Sequence, residues 1–178
     1  KYVIVTRFSC QDGTSSYMSV VVVRNDAKAY ASNCRFTNST ISYYSVKEGV
    51  KDHWVDLWWK NNRVDHNNFT GNTSPGTTLG VWLKGAEHIE NKHRIDHNIF
   101  GKRPELGSNG GETMRIGTSA NSMKSSKTLV ESNVFLNCDG EIEIISNKSG
   151  DNTFRENLFV ESKGTLTLRH GNNALVEN

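Results

Sequence analysis

Short stretches in which apolar and polar residues alternate run through most of this chain. Four of them have the same form and occupy residues 80–84, 112–116, 141–145 and 165–169. An alternation of period two is typical of β-strands, because successive side chains point to opposite faces. The helical spacing of apolar residues at i, i+3 and i+4 is hard to find anywhere. The pattern therefore predicts an all-β chain of many short strands.

The stretch 139–148 shows the alternation most clearly. Glu141 and Glu143 alternate with Ile142 and Ile144. In an extended strand this spacing predicts that both isoleucines face a core while both carboxylates point outward together.

Two carboxylates side by side repel each other, so the pair needs a compensating charge. A hard cation such as Ca²⁺ supplies one, because it prefers carboxylate oxygens. A neighbouring basic side chain supplies another, and Lys148 and Arg169 follow along the chain. A solvated strand face with no further role is the alternative, and this stretch by itself favours it.

An internal repeat becomes visible when recurrent asparagines are aligned. Successive Asn residues lie 21 to 35 residues apart, at positions 38, 67, 98, 133, 157 and 178. In four of these units a Phe follows two residues later, at 69, 100, 135 and 159. Repeat lengths in this range indicate stacked units.

The repeat predicts a right-handed, single-stranded parallel β-helix over residues 1–178, one catalytic domain that is incomplete at both ends. Each coil stacks on the previous one at about 4.8 Å. We expect the recurrent Asn side chains to form a hydrogen-bonded ladder inside the coil and the Phe rings to stack in the core. The long unit after Asn98 carries a polar insertion at 101–112, and such a loop usually lines the binding face.

Composition narrows the possible functions. The net charge of +2 gives no nucleic-acid footprint, and no apolar run approaches the ~20 residues of a membrane helix. The three cysteines fit neither a disulfide framework nor a zinc site, so free thiols are favoured, and one disulfide with one free thiol stays open. Trp54, Trp58 and Trp59 either stack on sugars or fill the core, and core filling is slightly favoured.

Alignment on the Asn positions predicts which outward side chains meet. It places Thr167 beside Glu143, and it turns Arg115 outward next to Glu143. Glu112 is either a supporting carboxylate or simply an acid at the start of a strand. The outward residues that converge on about three coils are Asn109, Arg115, Glu141, Glu143, Lys148, Arg169 and His170.

Three runs of sequence resemble polysaccharide lyase family 6, which holds alginate lyases and chondroitinase B. They are Asn-Gly-Gly-Glu-Thr-Met-Arg-Ile-Gly-Thr-Ser at 109–119, Cys-Asp-Gly-Glu-Ile-Glu-Ile-Ile-Ser-Asn-Lys-Ser at 138–149, and Leu-Thr-Leu-Arg-His-Gly at 166–171. The resemblance covers roughly residues 30–178. It implies a parallel β-helix, a calcium ion and β-elimination on uronic-acid polysaccharides.

The resemblance also implies roles for individual residues. The matching positions are Asn109, Glu141 and Glu143 as calcium ligands, Lys148 as catalytic base, Arg169 as catalytic acid, and His170 in the substrate site. Guanidinium hardly releases its proton, so we interpret Arg169 as stabilising charge on the leaving oxygen. Arg115 is expected either to contact a substrate carboxylate or sulfate or to form a salt bridge with Glu143.

The expected function is a secreted or periplasmic, calcium-dependent lyase that acts on an anionic polysaccharide, with alginate rich in mannuronate as the first candidate. Dermatan sulfate is the second candidate, and a β-helix that binds glycan without cleaving it is the third. A hydrolase would require clustered Asp rather than the Lys/Arg pair. No nucleic-acid or membrane partner is expected, and oligomer formation stays open.

Overall fold

The computed structural model describes residues 2–14, 19–24, 31–44, 51–107 and 109–178. Within these ranges the chain forms 19 strands and two short 3₁₀ helices, Ala86–His88 and Ser119–Asn121. None of the helices in the described ranges is long and apolar enough to cross a membrane.

The strands form three sheets, and each coil of the chain contributes one strand to each sheet in turn. Sheet A contains β1 Ile4–Thr6, β4 Arg35–Thr37, β7 Arg63–Asp65, β10 Arg94–Asp96, β13 Leu129–Glu131, β16 Thr153–Arg155 and β19 Leu175–Glu177. Sheet B contains β2 Ser9–Gln11, β5 Thr40–Ser42, β8 Asn68–Thr70, β11 Ile99–Arg103, β14 Val134–Cys138 and β17 Leu158–Val160. Sheet C contains β3 Ser19–Val23, β6 His53–Leu57, β9 Leu79–Val81, β12 Met114–Ile116, β15 Glu143–Lys148 and β18 Thr165–His170.

Every neighbouring pair of strands in the three sheets is parallel, and each strand pairs with the equivalent strand of the next coil. A chain that returns to the same sheet once per coil and stacks in this way is a parallel β-helix. The predicted fold class is therefore confirmed.

The core is built from stacked equivalent side chains. The ring centroids of Phe69 and Phe100 lie 5.3 Å apart, and those of Phe100 and Phe135 and of Phe135 and Phe159 lie 5.0 Å apart. The predicted Phe stack is therefore confirmed. Of the Trp residues singled out in the sequence, Trp54 is fully buried in the core, whereas Trp58 and Trp59 are only half-buried.

The predicted Asn ladder is also confirmed for four coils. The side-chain amide of Asn67 donates to Asn98 at 2.9 Å, Asn98 donates to Asn133 at 3.0 Å, and Asn133 donates to Asn157 at 3.0 Å. Because each buried amide is satisfied by its copy in the next coil, the ladder fixes the register of the turn.

The prediction was wrong at both ends of the ladder. Ser39, rather than Asn38, stacks on Asn67, and its backbone N–H donates to the Asn67 amide oxygen at 3.0 Å. The Ser39 hydroxyl accepts the backbone N–H of Phe8 at 3.0 Å in place of an amide ladder bond. Asn178 follows Glu177, which pairs with Arg155, so Asn178 lies one position before the ladder. In both units a residue at the preceding turn position happens to be Asn.

The face prediction for the Glu-rich stretch is partly wrong. Ile144 is buried, as expected, but Ile142 is 74% exposed and the Glu143 side chain is largely buried. The pairing of β15 with β18 shifts register between Glu143 and Ile145, which is a β-bulge. A bulge adds a residue to one strand and so breaks the alternation from which the faces were predicted.

Sheet A carries a ladder of opposite charges on its outer side. Arg35 contacts Asp65 at 2.5 Å, Arg63 contacts Asp96 at 2.6 Å, and Glu131 is contacted at 2.6 Å by the arginines of the coils on either side, Arg94 and Arg155. Both Asp65 and Asp96 are fully buried. Each acid of this charge ladder therefore has a cation on its own or an adjacent coil.

The three cysteines form no disulfide with one another, and Cys138 is buried. Burial raises the pKa of the Cys138 thiol to about 11. The expectation that the cysteines form no disulfide framework is confirmed, whereas Cys10 and Cys34 are half-buried rather than buried.

Candidate active site

Three carboxylates converge at the end of sheet C where β12 and β15 meet. Glu112, Glu141 and Glu143 each contribute one oxygen, and these oxygens lie within 4.8 Å of one another. Glu112 precedes β12, and the bulge at the start of β15 turns Glu143 toward it. The predicted pair of acids is therefore a cluster of three, which we call the acid cluster.

A cleft of about 590 Å³ opens beside the acid cluster. The insertion between β11 and β12 forms one wall, as its length predicted, and Asn109 lies in that wall. The lining residues are Glu105, Gly107, Asn109, Asp139, Gly140, Glu141, Ile142, Glu143, Lys163, Gly164 and Arg169. The cleft has the size of a small-ligand site and places Asn109 near the two glutamates with which it was predicted to act.

Lys148 lies at the end of β15 with its side chain largely buried, and its ammonium donates to Glu112 at 3.0 Å. Burial works to raise the pKa of Glu112, but the hydrogen bond and charge of Lys148 outweigh it and hold that pKa below its ordinary value. Glu112 is therefore an ionised partner of the predicted catalytic base.

Arg169 lies in β18 and donates to Glu143 at 3.1 Å. Its side chain is 43% exposed and lines the cleft, so one end of the guanidinium faces the space that a ligand would occupy. His170 follows it and pairs in register with Lys148. The structure therefore brings together Lys148, Arg169 and His170 on adjacent coils, as the sequence predicted.

Glu141 has less compensation than the other two acids. One of its oxygens accepts the backbone N–H of Gly110 at 3.0 Å, and no ion pair to it is present among the described residues. Burial and the charges of Glu112 and Glu143 raise the pKa of Glu141, although the Gly110 N–H and Lys148 act in the opposite direction. The acid cluster therefore carries more negative charge than its two basic partners balance.

The acid cluster suits a hard cation. Among the described residues, one oxygen of Glu112 and one of Glu143 are buried without a hydrogen-bond partner. Unpaired buried carboxylate oxygens are costly, and an ion such as Ca²⁺ accepts that kind of ligand. With Asn109 in the adjacent wall, the predicted ligands fit a cation, and Glu112 joins the set of carboxylates in reach.

Arg115 points outward between the buried Met114 and Ile116, as predicted, but its expected neighbour was wrong. It pairs in register with Ser146 rather than Glu143, and the ion pairs of the described chain include none between Arg115 and Glu143. Its guanidinium instead lies 4.9 Å from the ring centroid of Trp82.

The predicted register of the next coil was also wrong. Thr165, rather than Thr167, pairs with Glu143, and Thr167 pairs with Ser146. Leu136 pairs with Val160, 24 residues further on, whereas Glu143 pairs with Thr165, 22 residues further on. The turn before Glu143 is therefore two residues longer than the equivalent turn of the next coil, and the count of residues from the Asn turn, on which the prediction was based, fails.

Sequence reasoning missed Arg103, which appeared to belong to the polar insertion. It is the last residue of β11, it is 2% exposed, and it donates to the backbone carbonyl oxygens of Gly111 at 2.7 Å, Ser74 at 2.9 Å and Gly76 at 2.6 Å. Burial lowers the pKa of Arg103 to about 10. Its bond to Gly111 fixes the end of the insertion directly before Glu112, and the only signal was its position one residue before Pro104 in an otherwise regular strand.

These contacts define the chemistry that the site can perform. A lysine with a carboxylate partner can exchange a proton, and an exposed guanidinium can stabilise an oxyanion. An acid cluster with unpaired oxygens can hold a cation that neutralises an anionic ligand. Arg169 lines the cleft, whereas Lys148 reaches the acid cluster through Glu112 and is not among the lining residues. Together these groups suit proton abstraction beside a carboxylate.

Comparison with protein families gives a match over the whole chain. The family model described as chondroitinase B matches residues 1–178. No curated protein sequence is significantly similar to the chain.

Solved structures give three informative comparisons. The chain is 49% identical to the PL6 family alginate lyase AlyGC, with a TM-score of 0.95 over 97% of this chain and 24% of that one. It is 40% identical to a mannuronic acid specific family 6 lyase from human gut microbiota, with a TM-score of 0.90 over 95% of this chain and 39% of that one. A PL6 alginate lyase in complex with a trisaccharide shares the fold, at 24% identity and a TM-score of 0.68 over 99% of this chain and 48% of that one.

The chain thus spans about a quarter of the length of AlyGC and well under half of the gut lyase. The strong likeness in backbone covers nearly all of this chain, including the strands that carry the acid cluster.

Proposed function

Because this chain belongs to the chondroitinase B family, whose solved relatives include PL6 alginate lyases, we propose that it forms the catalytic coils of a calcium-dependent alginate lyase. The proposed substrate is alginate with mannuronate-containing blocks, since the gut relative is described as mannuronic acid specific. The proposed reaction is β-elimination at a 4-linked uronate. A polymer of this kind does not cross membranes, so the proposal places the protein outside the cell or in the periplasm.

The observation that carries the proposal is the pairing of two cations with an over-charged acid cluster at one cleft. Lys148 contacts Glu112, and Arg169 contacts Glu143. A glycan-binding surface needs no buried lysine beside a cleft, whereas an elimination needs a base and a group that stabilises the leaving oxygen.

Lys148 is the proposed base that removes the proton from C5 of the uronate. A lysine accepts a proton only through a free lone pair on a neutral amine, whereas the Lys148 ammonium donates to Glu112. We therefore expect Lys148 to leave Glu112 before it acts, and Glu112 then serves as the partner that restores its position after turnover.

Arg169 is the proposed stabiliser of negative charge on the departing 4-linked oxygen. Its partner Glu143 holds one side of the guanidinium, so the other N–H groups stay available to the cleft. The final proton on the leaving group comes from water or from Lys148, since a guanidinium hardly releases one. Arg115 and His170 flank the pair, and we assign them to the uronate carboxylate and the sugar ring.

Asn109, Glu141 and Glu143, with Glu112 beside them, would hold the calcium ion. When bound, the cation neutralises the uronate carboxylate, which makes the adjacent C5 proton easier to remove. Two glutamates and one amide supply only part of the 6–8 oxygens that Ca²⁺ takes, so ligand positions remain for substrate and water.

The test is ultraviolet absorbance during incubation with polymannuronate, polyguluronate or dermatan sulfate, each with calcium or with chelator. Elimination leaves a C4–C5 double bond that absorbs, whereas hydrolysis and binding leave none. We expect a calcium-dependent rise on polymannuronate. A folded protein that gives no rise on any of the three polymers would contradict the proposal.

Dermatan sulfate is the second candidate because the matching family model is described as chondroitinase B. A rise on dermatan sulfate without a rise on either alginate polymer would assign the protein to this substrate. The relative at 49% identity is described as an alginate lyase and the relative at 40% identity as a mannuronic acid specific lyase, and this favours alginate.

A further inference from the structure

A row of alternating aromatic and basic side chains runs along sheet C away from the acid cluster. Arg24 lies 5.2 Å from the ring centroid of Trp58, the rings of Trp58 and Trp82 stack at 5.0 Å and 7°, and Arg115 lies 4.9 Å from the centroid of Trp82. We call these four residues the Arg–Trp strip. The catalytic roles assigned above use only its last member, Arg115.

The register of sheet C explains why the strip forms. Val23 pairs with Leu57 and Leu57 with Val81, so Arg24, Trp58 and Trp82 directly follow equivalent strand positions on three consecutive coils. Arg115 reaches Trp82 from the fourth coil across Gly80, the residue with which it pairs. At about 4.8 Å per coil, the strip extends the active-site face by three coil spacings.

The strip is organised to bind anions rather than to stack on sugar faces. Each indole face is covered, by the other indole or by a guanidinium, and His88 and His53 contact Trp58 and Trp82 edge to face, so the two half-buried indoles present part of their ring edges to solvent. The edge of an aromatic ring carries the positive part of its quadrupole. Two guanidiniums and two ring edges therefore form a continuous electropositive row.

Neither guanidinium of the strip is neutralised by a carboxylate within the described ranges. The ion pairs found there involve other arginines and lysines, and the Nε of Arg115 is buried without a hydrogen-bond partner. Asp56 is buried and accepts bonds from the Trp82 indole at 2.7 Å and from Ser19, and the charge of Arg115 also acts on Glu112, where it helps to lower the pKa of that carboxyl. Stacking on the indoles holds the guanidinium planes without using their N–H groups.

We propose that the Arg–Trp strip binds the carboxylates of uronate units that lie beyond the cleaved linkage on the same polysaccharide chain. This inference rests on the proposed function and deepens it. The occupant is a uronate polymer because the strip continues from the cleft through neighbouring strands of one sheet and because its charge is complementary to one carboxylate per sugar. Arg115 binds the unit next to the cleft and Arg24 binds the far end, while Trp58 and Trp82 position the two guanidiniums.

The experiment measures binding of saturated mannuronate trimer and octamer by calorimetry to protein carrying Lys148→Ala, which prevents turnover. We expect Arg24→Gln and Trp58→Leu each to weaken octamer binding about fivefold to tenfold and trimer binding by less than about twofold. Trp58→Phe retains a ring for Arg24, so we expect it to bind octamer with most of the affinity of the Lys148→Ala protein. If Trp58 only packed against the fold, its substitution would affect trimer and octamer binding alike. Lys127→Gln, at an exposed lysine paired with Glu90, serves as the control and leaves both affinities unchanged.

Equal losses for trimer and octamer, or no loss for either, would overturn the strip as a binding surface, and so would the absence of octamer binding by the Lys148→Ala protein. The proposed function has a separate readout, which is absorbance with unmodified protein. If the strip variants selectively weaken octamer binding while the unmodified protein forms no unsaturated product, the strip stands and the lyase assignment fails.

Discussion

Both the outer side of sheet A and the acid cluster of sheet C combine acidic with basic side chains, but the balance of charge differs between them. On sheet A, Asp65 and Asp96 are buried between arginines, and hydrogen bonds from those arginines outweigh the effect of burial and lower the pKa of both acids. At the acid cluster, Glu141 has a raised pKa and no ion pair within the described chain. The acids of sheet A are balanced by basic side chains, whereas the acid cluster carries more negative charge than its basic partners balance.

The difference follows from local backbone geometry. The sheet A strands pair in unbroken register, so each acid meets a cation of a neighbouring coil. The bulge in β15 instead turns Glu143 toward Glu112 and Glu141. Regular stacking thus pairs acids with bases and stabilises the fold, whereas the bulge brings carboxylates together and leaves negative charge that a bound cation could balance.

The largest expected effect is the loss of kcat when Lys148, the partner of the acid cluster, is replaced. Lys148→Arg keeps a cation for Glu112, so the protein stays folded, but a guanidinium cannot act as the base. We expect kcat to fall by about 10³-fold, measured by absorbance with polymannuronate. The matched control is Lys127→Arg, at an exposed ion pair, and it leaves kcat unchanged. Retention of more than about a tenth of the activity in Lys148→Arg would exclude Lys148 as the base.

Removal of an arginine from each region separates activity from stability. Arg169→Gln is expected to lower kcat by about 10²-fold, because the leaving oxygen loses a charged donor, while the free energy of unfolding changes by less than about 1 kcal/mol. Arg35→Gln is expected to lower the free energy of unfolding by about 1 kcal/mol, because Asp65 loses a bidentate partner, and to leave kcat unchanged. Denaturant titration and the absorbance assay report the two quantities, and the comparison fails if both variants lose activity equally.

The charge ladder also predicts sensitivity to acid. Burial opposes ionisation of Asp65, but hydrogen bonds from Arg35, His66 and Thr37 lower its pKa to about 2 from a model-compound value of 3.8. A lowered pKa stabilises the fold above the ordinary value, and this stability is lost as the pH falls toward about 2; it amounts to on the order of 2 kcal/mol.

Asp65→Asn should therefore destabilise the protein at neutral pH and flatten the loss of stability below about pH 4. The measurement is the midpoint of urea unfolding across this pH range for both proteins. Parallel pH profiles for the two proteins would show that Asp65 does not carry the effect. Glu141→Gln provides the contrast, because a raised pKa means that ionisation of Glu141 disfavours the folded state.

Sequence alone predicted the features that repeat regularly from coil to coil. The Asn and Phe ladders follow from the spacing of Asn67, Asn98 and Asn133, because identical side chains in stacked coils satisfy one another. The gathering of Lys148 and Arg169 at one cleft followed from the three motifs. Each of these features lies at a fixed number of residues from a turn, so counting residues from the turn predicts it.

Features that depend on irregular backbone or on distant coils were not predicted. Ile142 lies directly before β15 and is exposed, and a bulge follows Glu143; nothing in the alternation of Glu and Ile reveals either feature. Arg103 looked like a solvated loop residue, although its guanidinium is anchored by carbonyl oxygens of a neighbouring coil. For Trp58 the sequence favoured core filling only slightly over stacking on sugars, whereas Trp58 is half-buried and stacks on Trp82, a contact that depends on register across insertions of unequal length.

The most direct test of the account is a calorimetric calcium titration of the unmodified protein, Glu141→Gln and Asp65→Asn, each shown to be folded. We expect one calcium site in the unmodified protein and in Asp65→Asn, and at least tenfold weaker binding in Glu141→Gln, because Glu141 supplies one of the three clustered carboxylate oxygens and has no ion pair within the described chain. Binding that is absent from the unmodified protein, or equal in Glu141→Gln, would contradict the claim that the excess charge at this cleft is a cation site.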